Sequence, residues 1–221
     1  MKSNESDTTK DMAGSEKANK DHGIDWTMPA ISRGMMGSLD RFIGPGANAS
    51  EIVIQFLPAV LAALIAPYYL RISGGAPIWN YFIAAILALD IVGGVLTNAT
   101  SPAKRWYHRP GQSALQHFMF SGSHVFHLLA VGFFFADRPL FWTGINVSFL
   151  LIAVSVVLIS PLYLKRPVAM LLYAIGLLLA IYVTPGPQGL EWFLPLFFLK
   201  LLVSHLIPEA PFVARKSSEI S

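Results

Sequence analysis

The chain has 221 residues, and its 16 Lys+Arg and 13 Asp+Glu make only 13% of it charged, while 54% is hydrophobic. With a mean hydropathy of +0.53, this composition excludes a soluble globular enzyme, a disordered chain and a disulfide-built secreted scaffold. The absence of cysteine removes thiol nucleophiles, iron–sulfur clusters and thiolate metal sites, so any metal must be held by His, Asp, Glu or Met.

Residues 1–23 are rich in Ser, Lys, Asp and Glu without periodic apolar positions, which predicts a disordered tail and no signal peptide. In residues 24–49, Ile31, Met35, Met36, Leu39, Phe42 and Ile43 recur at roughly helical spacing with Arg33, Asp40 and Arg41 between them. That pattern predicts an amphipathic surface helix with Trp26 at headgroup level. Gly44-Pro45-Gly46 then breaks the chain, and Asn48 followed by Glu51 predicts a capping box at the next helix.

Residues 50–210 hold the apolar runs. About 20 apolar residues cross a hydrocarbon core of about 30 Å, and six stretches qualify as spans: Glu51–Leu70, Ile78–Thr97, Ser113–Ala136, Leu140–Leu164, Val168–Thr184 and Leu190–Ile207. Pro58 is expected to bend the first span; Pro161 and Pro195 are expected to kink the fourth and sixth without ending them. Residues 211–221 form a short polar tail. If the N-terminus is cytoplasmic, that side carries Arg33, Arg41, Lys104, Arg105, Arg109, Lys165, Arg166, Arg215 and Lys216, against Arg71 and Arg138 opposite. The bias predicts an all-α polytopic bundle with both termini inside. It also accounts for the net charge of +3 without nucleic acid as a partner. The bilayer is the expected partner, and oligomeric state is left open.

Intramembrane ionisable residues mark functional sites by default. The third span reads Ser113, His117, Ser121, His124 and His127 along one side. At 100° per residue His117 and His124 differ by about 20°, and His127 lies about 60° from His124. Asp90 in the second span and Lys200 in the sixth have similar expected depths and are expected to pair as a buried ion pair. His117, Asp90 and His124 fall at depths of about 6, 10 and 16 Å from the cytoplasmic end, so these three are expected to converge, with His127 peripheral. Asp90, His117, His124 and His205 are the catalytic candidates, and His117, His124, His127 and Asp90 the metal-ligand candidates. A divalent metal such as zinc is the first candidate cofactor, and haem b, held between His117 and His205, the second. His205, near the cytoplasmic end of the sixth span, and His117 at nearly the same depth are expected to line one cytoplasm-facing cavity with Asn98, beside the plainer reading of ordinary helix-end chemistry. In the loop Ser101–Gly111, Lys104, Arg105 and Arg109 among interfacial aromatics are candidates for an anion or an anionic lipid headgroup, beside the plainer reading of a topology signal.

The stretch from Leu89-Asp90 through Gly93-Gly94, Thr97-Asn98 and Lys104-Arg105-Trp106-Tyr107-His108-Arg109 resembles a block in an uncharacterised family of bacterial polytopic integral membrane proteins. The resemblance covers Leu39–Ala136, implies a multi-pass inner-membrane location, and carries no activity. Two function classes remain: a membrane-embedded enzyme or cofactor protein using the His/Asp set, and a small proton-coupled transporter or non-catalytic accessory protein.

Overall fold

The computed structural model describes residues 23–212, so the predicted disordered tail, apart from Gly23, and most of the C-terminal tail lie outside the described residues. Those described are helical, apart from loops and one isolated antiparallel bridge between Ile24 and Phe212. They divide into two compact units. Residues 23–46, 100–109 and 209–212 form the first; Ala47–Ala99 and Pro110–Pro208 form the second.

The first unit holds helices α1 (Gly34–Ile43) and α4 (Ser101–Tyr107). Helix α1 starts later than the apolar pattern does, at Gly34, whose φ of +65° no β-carbon-bearing residue adopts readily. The Asp40 carboxylate reaches back to the Ser32 amide at 2.8 Å. Tyr107 Oη donates to the Phe42 carbonyl at 2.8 Å, tying α4 to α1.

The second unit contains the apolar bundle. Five of its helices are long and apolar enough to cross a membrane: α2 (Ala49–Ile72), α3 (Ile78–Ala99), the broken pair α5 (Ala114–Ser123) and α6 (Val125–Phe135), α7 (Pro139–Ile159), and α8 (Leu162–Tyr182). The chain is therefore a multi-pass membrane protein by length and composition of its helices. Helix α2 begins with the capping box: the Asn48 side chain accepts from the Glu51 amide and Glu51 accepts from the Asn48 amide, each at 2.9 Å.

Two expectations are corrected. The fourth span does not run through Pro161 to Leu164. Pro161 disfavours helix in the residue before it, so α7 stops at Ile159, Pro161 caps α8, and Lys165, Arg166 and Pro167 lie inside α8 rather than between spans. The sixth stretch is not one long α-helix either. It forms α9 (Phe193–Phe198) followed by a π-helix over Leu199–His205, 13 residues together.

Lipid is as apolar as leucine, so close packing rather than hydrophobicity decides which faces turn inward. Ala59, Ala66, Ala84, Ala88, Ala153 and Ala169 are buried, whereas Leu61, Leu64, Ile65, Ile86, Phe126 and Leu171 face outward. The short last helix is the exception. Phe193, Leu194, Phe197, Phe198, Leu201 and Leu202 are all fully buried, as expected of a helix apolar on every side and surrounded by others.

Candidate functional site

The polar residues of the bundle are brought together by two local irregularities. The first is the break between α5 and α6. The Phe120 carbonyl would ordinarily accept from the His124 amide four residues on. It is taken instead by two side chains, Ser123 Oγ at 2.7 Å and His124 Nδ1 at 2.9 Å. The His124 amide then bonds Ser121 at 3.2 Å, and the His127 amide bonds His124 at 3.0 Å. Side-chain capture of a backbone carbonyl bends helices in this way. It stacks the rings of His124 and His127 with centroids 4.9 Å apart and planes 15° from parallel.

The second is the π-helix. Five residues of α-helix separate two side chains by about 140°, whereas the wider turn of a π-helix brings residues five apart onto one side. Lys200 and His205 therefore both face α3. Lys200 Nζ lies 2.6 Å from Asp90 Oδ2, and His205 Nδ1 lies 3.1 Å from Asn98 Oδ1.

Around Asp90 the same Oδ2 also meets His127 Nε2 at 3.0 Å. The Lys200 side chain is buried, while that of Asp90 keeps 40% of its surface accessible. Gly94 makes room for the lysine: a β-carbon there would stand 2.8 Å from Lys200 Cδ and 2.9 Å from Nζ. One ligand atom from each of Asp90, His124 and His127 lies within 4.8 Å of the other two. His124 donates from Nδ1 to the Phe120 carbonyl, which leaves Nε2 as its lone-pair nitrogen. A backbone carbonyl behind the other ring nitrogen is the usual support of a metal-ligating histidine.

A second group lies toward the end of α3. Asn98 Nδ2 donates to the Gly94 carbonyl at 2.8 Å, so Asn98 Oδ1 accepts from His205 Nδ1. His205 Nε2 in turn accepts from His117 Nδ1 at 3.2 Å. Phe120 lies between the two groups, with ring centroids 4.2 Å from His205 and 5.0 Å from His124.

The expected grouping is thus rearranged. His127, expected at the periphery, bonds Asp90, whereas His117, expected beside Asp90, bonds His205. The wheel at 100° per residue assumes an unbroken helix, and the break at His124 rephases everything beyond it. Gly122-Ser123 before His124 is the sequence signal for that break. His117 is not one of the three residues, Asp90, His124 and His127, whose donor atoms lie within 4.8 Å of one another. A haem between His117 and His205 does not fit, because their ring nitrogens are joined directly by a hydrogen bond.

The cationic candidates Lys104, Arg105 and Arg109 belong to the first unit. Burial pushes the Lys104 ammonium down to about 8, against the pull of the Glu209 carboxylate 4.0 Å away. Arg109 lies over the Trp106 ring at 3.8 Å and donates to the Trp106 carbonyl. Arg105 is 4% exposed.

Five apolar helices and a His/Asp cluster define a polytopic helical membrane protein with a polar group within its helical bundle. No protein-family model, curated protein or solved structure matches the chain.

Proposed function

We propose that this chain is a six-span inner-membrane protein with both termini in the cytoplasm, and that Asp90, His124 and His127 form a divalent-metal centre of a membrane-embedded enzyme. The sixth crossing is short. Thirteen residues give about 20 Å of α-helix, and the buried non-helical residues before them, Thr184 and Leu190 among them, supply the rest of the path. Irregular backbone is tolerated at membrane depth where protein covers it.

The observation that carries the metal reading is the convergence of three donors from two helices within 4.8 Å, one of them with its tautomer set by a backbone carbonyl. Bonds of about 2.0–2.2 Å at tetrahedral angles place two ligands of one ion roughly 3.4 Å apart, so side-chain adjustment of about an ångström draws the three donors onto one ion. Two imidazoles and one carboxylate suit zinc or iron(II). Three protein ligands leave a position for water or substrate, as catalytic rather than structural centres do. There the ion would act as a Lewis acid or lower the pKa of bound water.

The test is metal analysis of detergent-purified protein. Zinc or iron at close to one equivalent, lost in His124→Ala and His127→Ala and kept in His117→Ala, is the expected result. Metal-free protein that takes up neither ion on addition refutes the reading.

A second reading rests on Lys200, whose ammonium sits on the Asp90 oxygen at 2.6 Å. An Asp–Lys–His group within a bundle is also the make-up of a proton-exchange site in a transporter. The two readings differ in what Lys200 does to metal affinity.

A further inference from the structure

Arg105 belongs to the first unit, and its surroundings there leave a charge uncompensated. The residue is 4% exposed, yet among the described residues its one hydrogen bond is a long one, from Nη1 to the Asp25 carbonyl at 3.4 Å, and its Nε is buried without a partner among them. A guanidinium offers five N–H donors and stays protonated at any working pH. Burying it against a single carbonyl is costly unless an anion accompanies it. Among the described residues no acidic side chain forms an ion pair with it: the Asp25 carboxylate accepts from the Thr27 amide at 2.8 Å, and the Glu209 carboxylate faces Lys104 at 4.0 Å.

Gly46 passes close by with a φ of +81°; a β-carbon there would meet the Pro29 ring at 2.7 Å and reach only ordinary contact, 3.8 Å, with Arg105 Nη2. Lys104, adjacent in sequence and 3% exposed, adds a second cation to the same short helix. A forked guanidinium matches the oxygens of a phosphate group by paired hydrogen bonds, and a nearby ammonium adds a point charge to the field that draws an anion. Trp106 and Tyr107 are interfacial residues by type.

We infer that Arg105, assisted by Lys104, is the anchor of a phosphate-binding site, taking either the phosphate of an anionic lipid headgroup or a free phosphate. This site is independent of the metal centre in the bundle and stands whether or not that centre exists.

The test uses full-length protein in phosphate-free neutral detergent, with two probes, inorganic phosphate and dihexanoyl phosphatidic acid. Melting temperature and calorimetric affinity are measured for wild type, Arg105→Lys and Arg105→Met. Wild type should melt higher as either probe is raised, to saturation. Arg105→Lys should bind about tenfold more weakly or worse, since charged hydrogen bonds are lost. Arg105→Met should show no response, and without probe it should melt no lower than wild type, because it removes an unpaired buried charge. Tighter binding of phosphatidic acid assigns the site to a headgroup, and tighter binding of inorganic phosphate assigns it to the free ion. If Arg105→Met does not fold, Arg105→Lys carries the comparison. A wild type indifferent to both probes, or an Arg105→Lys variant that binds as wild type does, overturns the assignment.

Discussion

Neutralising Asp90 and Lys200 one at a time should have unequal costs. Lys200 is 2% exposed and its polar contact is the 2.6 Å bond to Asp90. Asp90→Asn therefore strands a buried ammonium, which costs about 3–5 kcal/mol. Lys200→Met leaves a carboxylate whose side chain is 40% accessible and still bonded to His127 at 3.0 Å, so its cost is closer to that of one lost charged hydrogen bond, about 1.5–3 kcal/mol. The double variant leaves no stranded charge and should recover most of the loss. For a chain of this length, 1 kcal/mol corresponds to about 2–4 °C. Asp90→Asn should then melt about 6–20 °C below wild type, Lys200→Met about 3–12 °C below, and the double variant above Asp90→Asn. The assay is thermal unfolding in detergent with chelator present, followed by the fluorescence of the five tryptophans. Additive losses in the double variant, or an Asp90→Asn protein as stable as Lys200→Met, would refute the pairing argument.

Gly94→Ala places a methyl against the Lys200 side chain, so its melting temperature should fall by an amount comparable to Asp90→Asn, and the same change in a Lys200→Met background should cost less. Gly93→Ala meets only the Ala59 methyl at 3.2 Å and should be the milder of the two. Lys104, held at about 8 in the folded chain against an ordinary 10.5, loses its proton in the folded state first as pH rises. The unfolded chain then binds more protons, so this group's destabilising contribution is full below about pH 8 and fades toward pH 10.5. Relative to Lys104→Met, wild type should gain up to about 3 kcal/mol across that window, read from paired melts at pH 7 and pH 10. For topology, a single cysteine at Asp137 should react with an impermeant maleimide in intact cells and one at Ser101 should not; the reverse would invert the orientation.

The helices of the bundle were legible because lipid imposes length and apolarity on every crossing. The charged pair was legible for a related reason: Asp90 and Lys200 are rare in hydrocarbon and costly without a partner, so matched depth was enough to join them. Grouping His205, His117 and Asn98 at one end followed from depth as well. What escaped was phase. Depth counts residues and tolerates a helix break, but the direction of a side chain does not, and the Ser123 and His124 side chains redirect α6 through a hydrogen-bond competition that periodicity cannot register. The π-helix escaped for the same reason. Lys200 and His205 fall about 140° apart on an α-helical wheel, and only the wider turn puts both against α3. Pro161 was read as a kink because the apolar run continues past it, although Pro restricts its predecessor strongly enough to divide the run in two.

The most direct test of the proposed centre is the affinity of zinc for chelator-stripped wild type and Lys200→Met, measured by calorimetry at constant pH. In the metal reading the Lys200 ammonium and the ion compete for the Asp90 carboxylate, so removing the ammonium should tighten zinc binding by about tenfold or more, the equivalent of one charged hydrogen bond, and Asp90→Asn should weaken it. Zinc binding that is absent in both proteins, or weaker in Lys200→Met than in wild type, would contradict a metal centre at Asp90, His124 and His127.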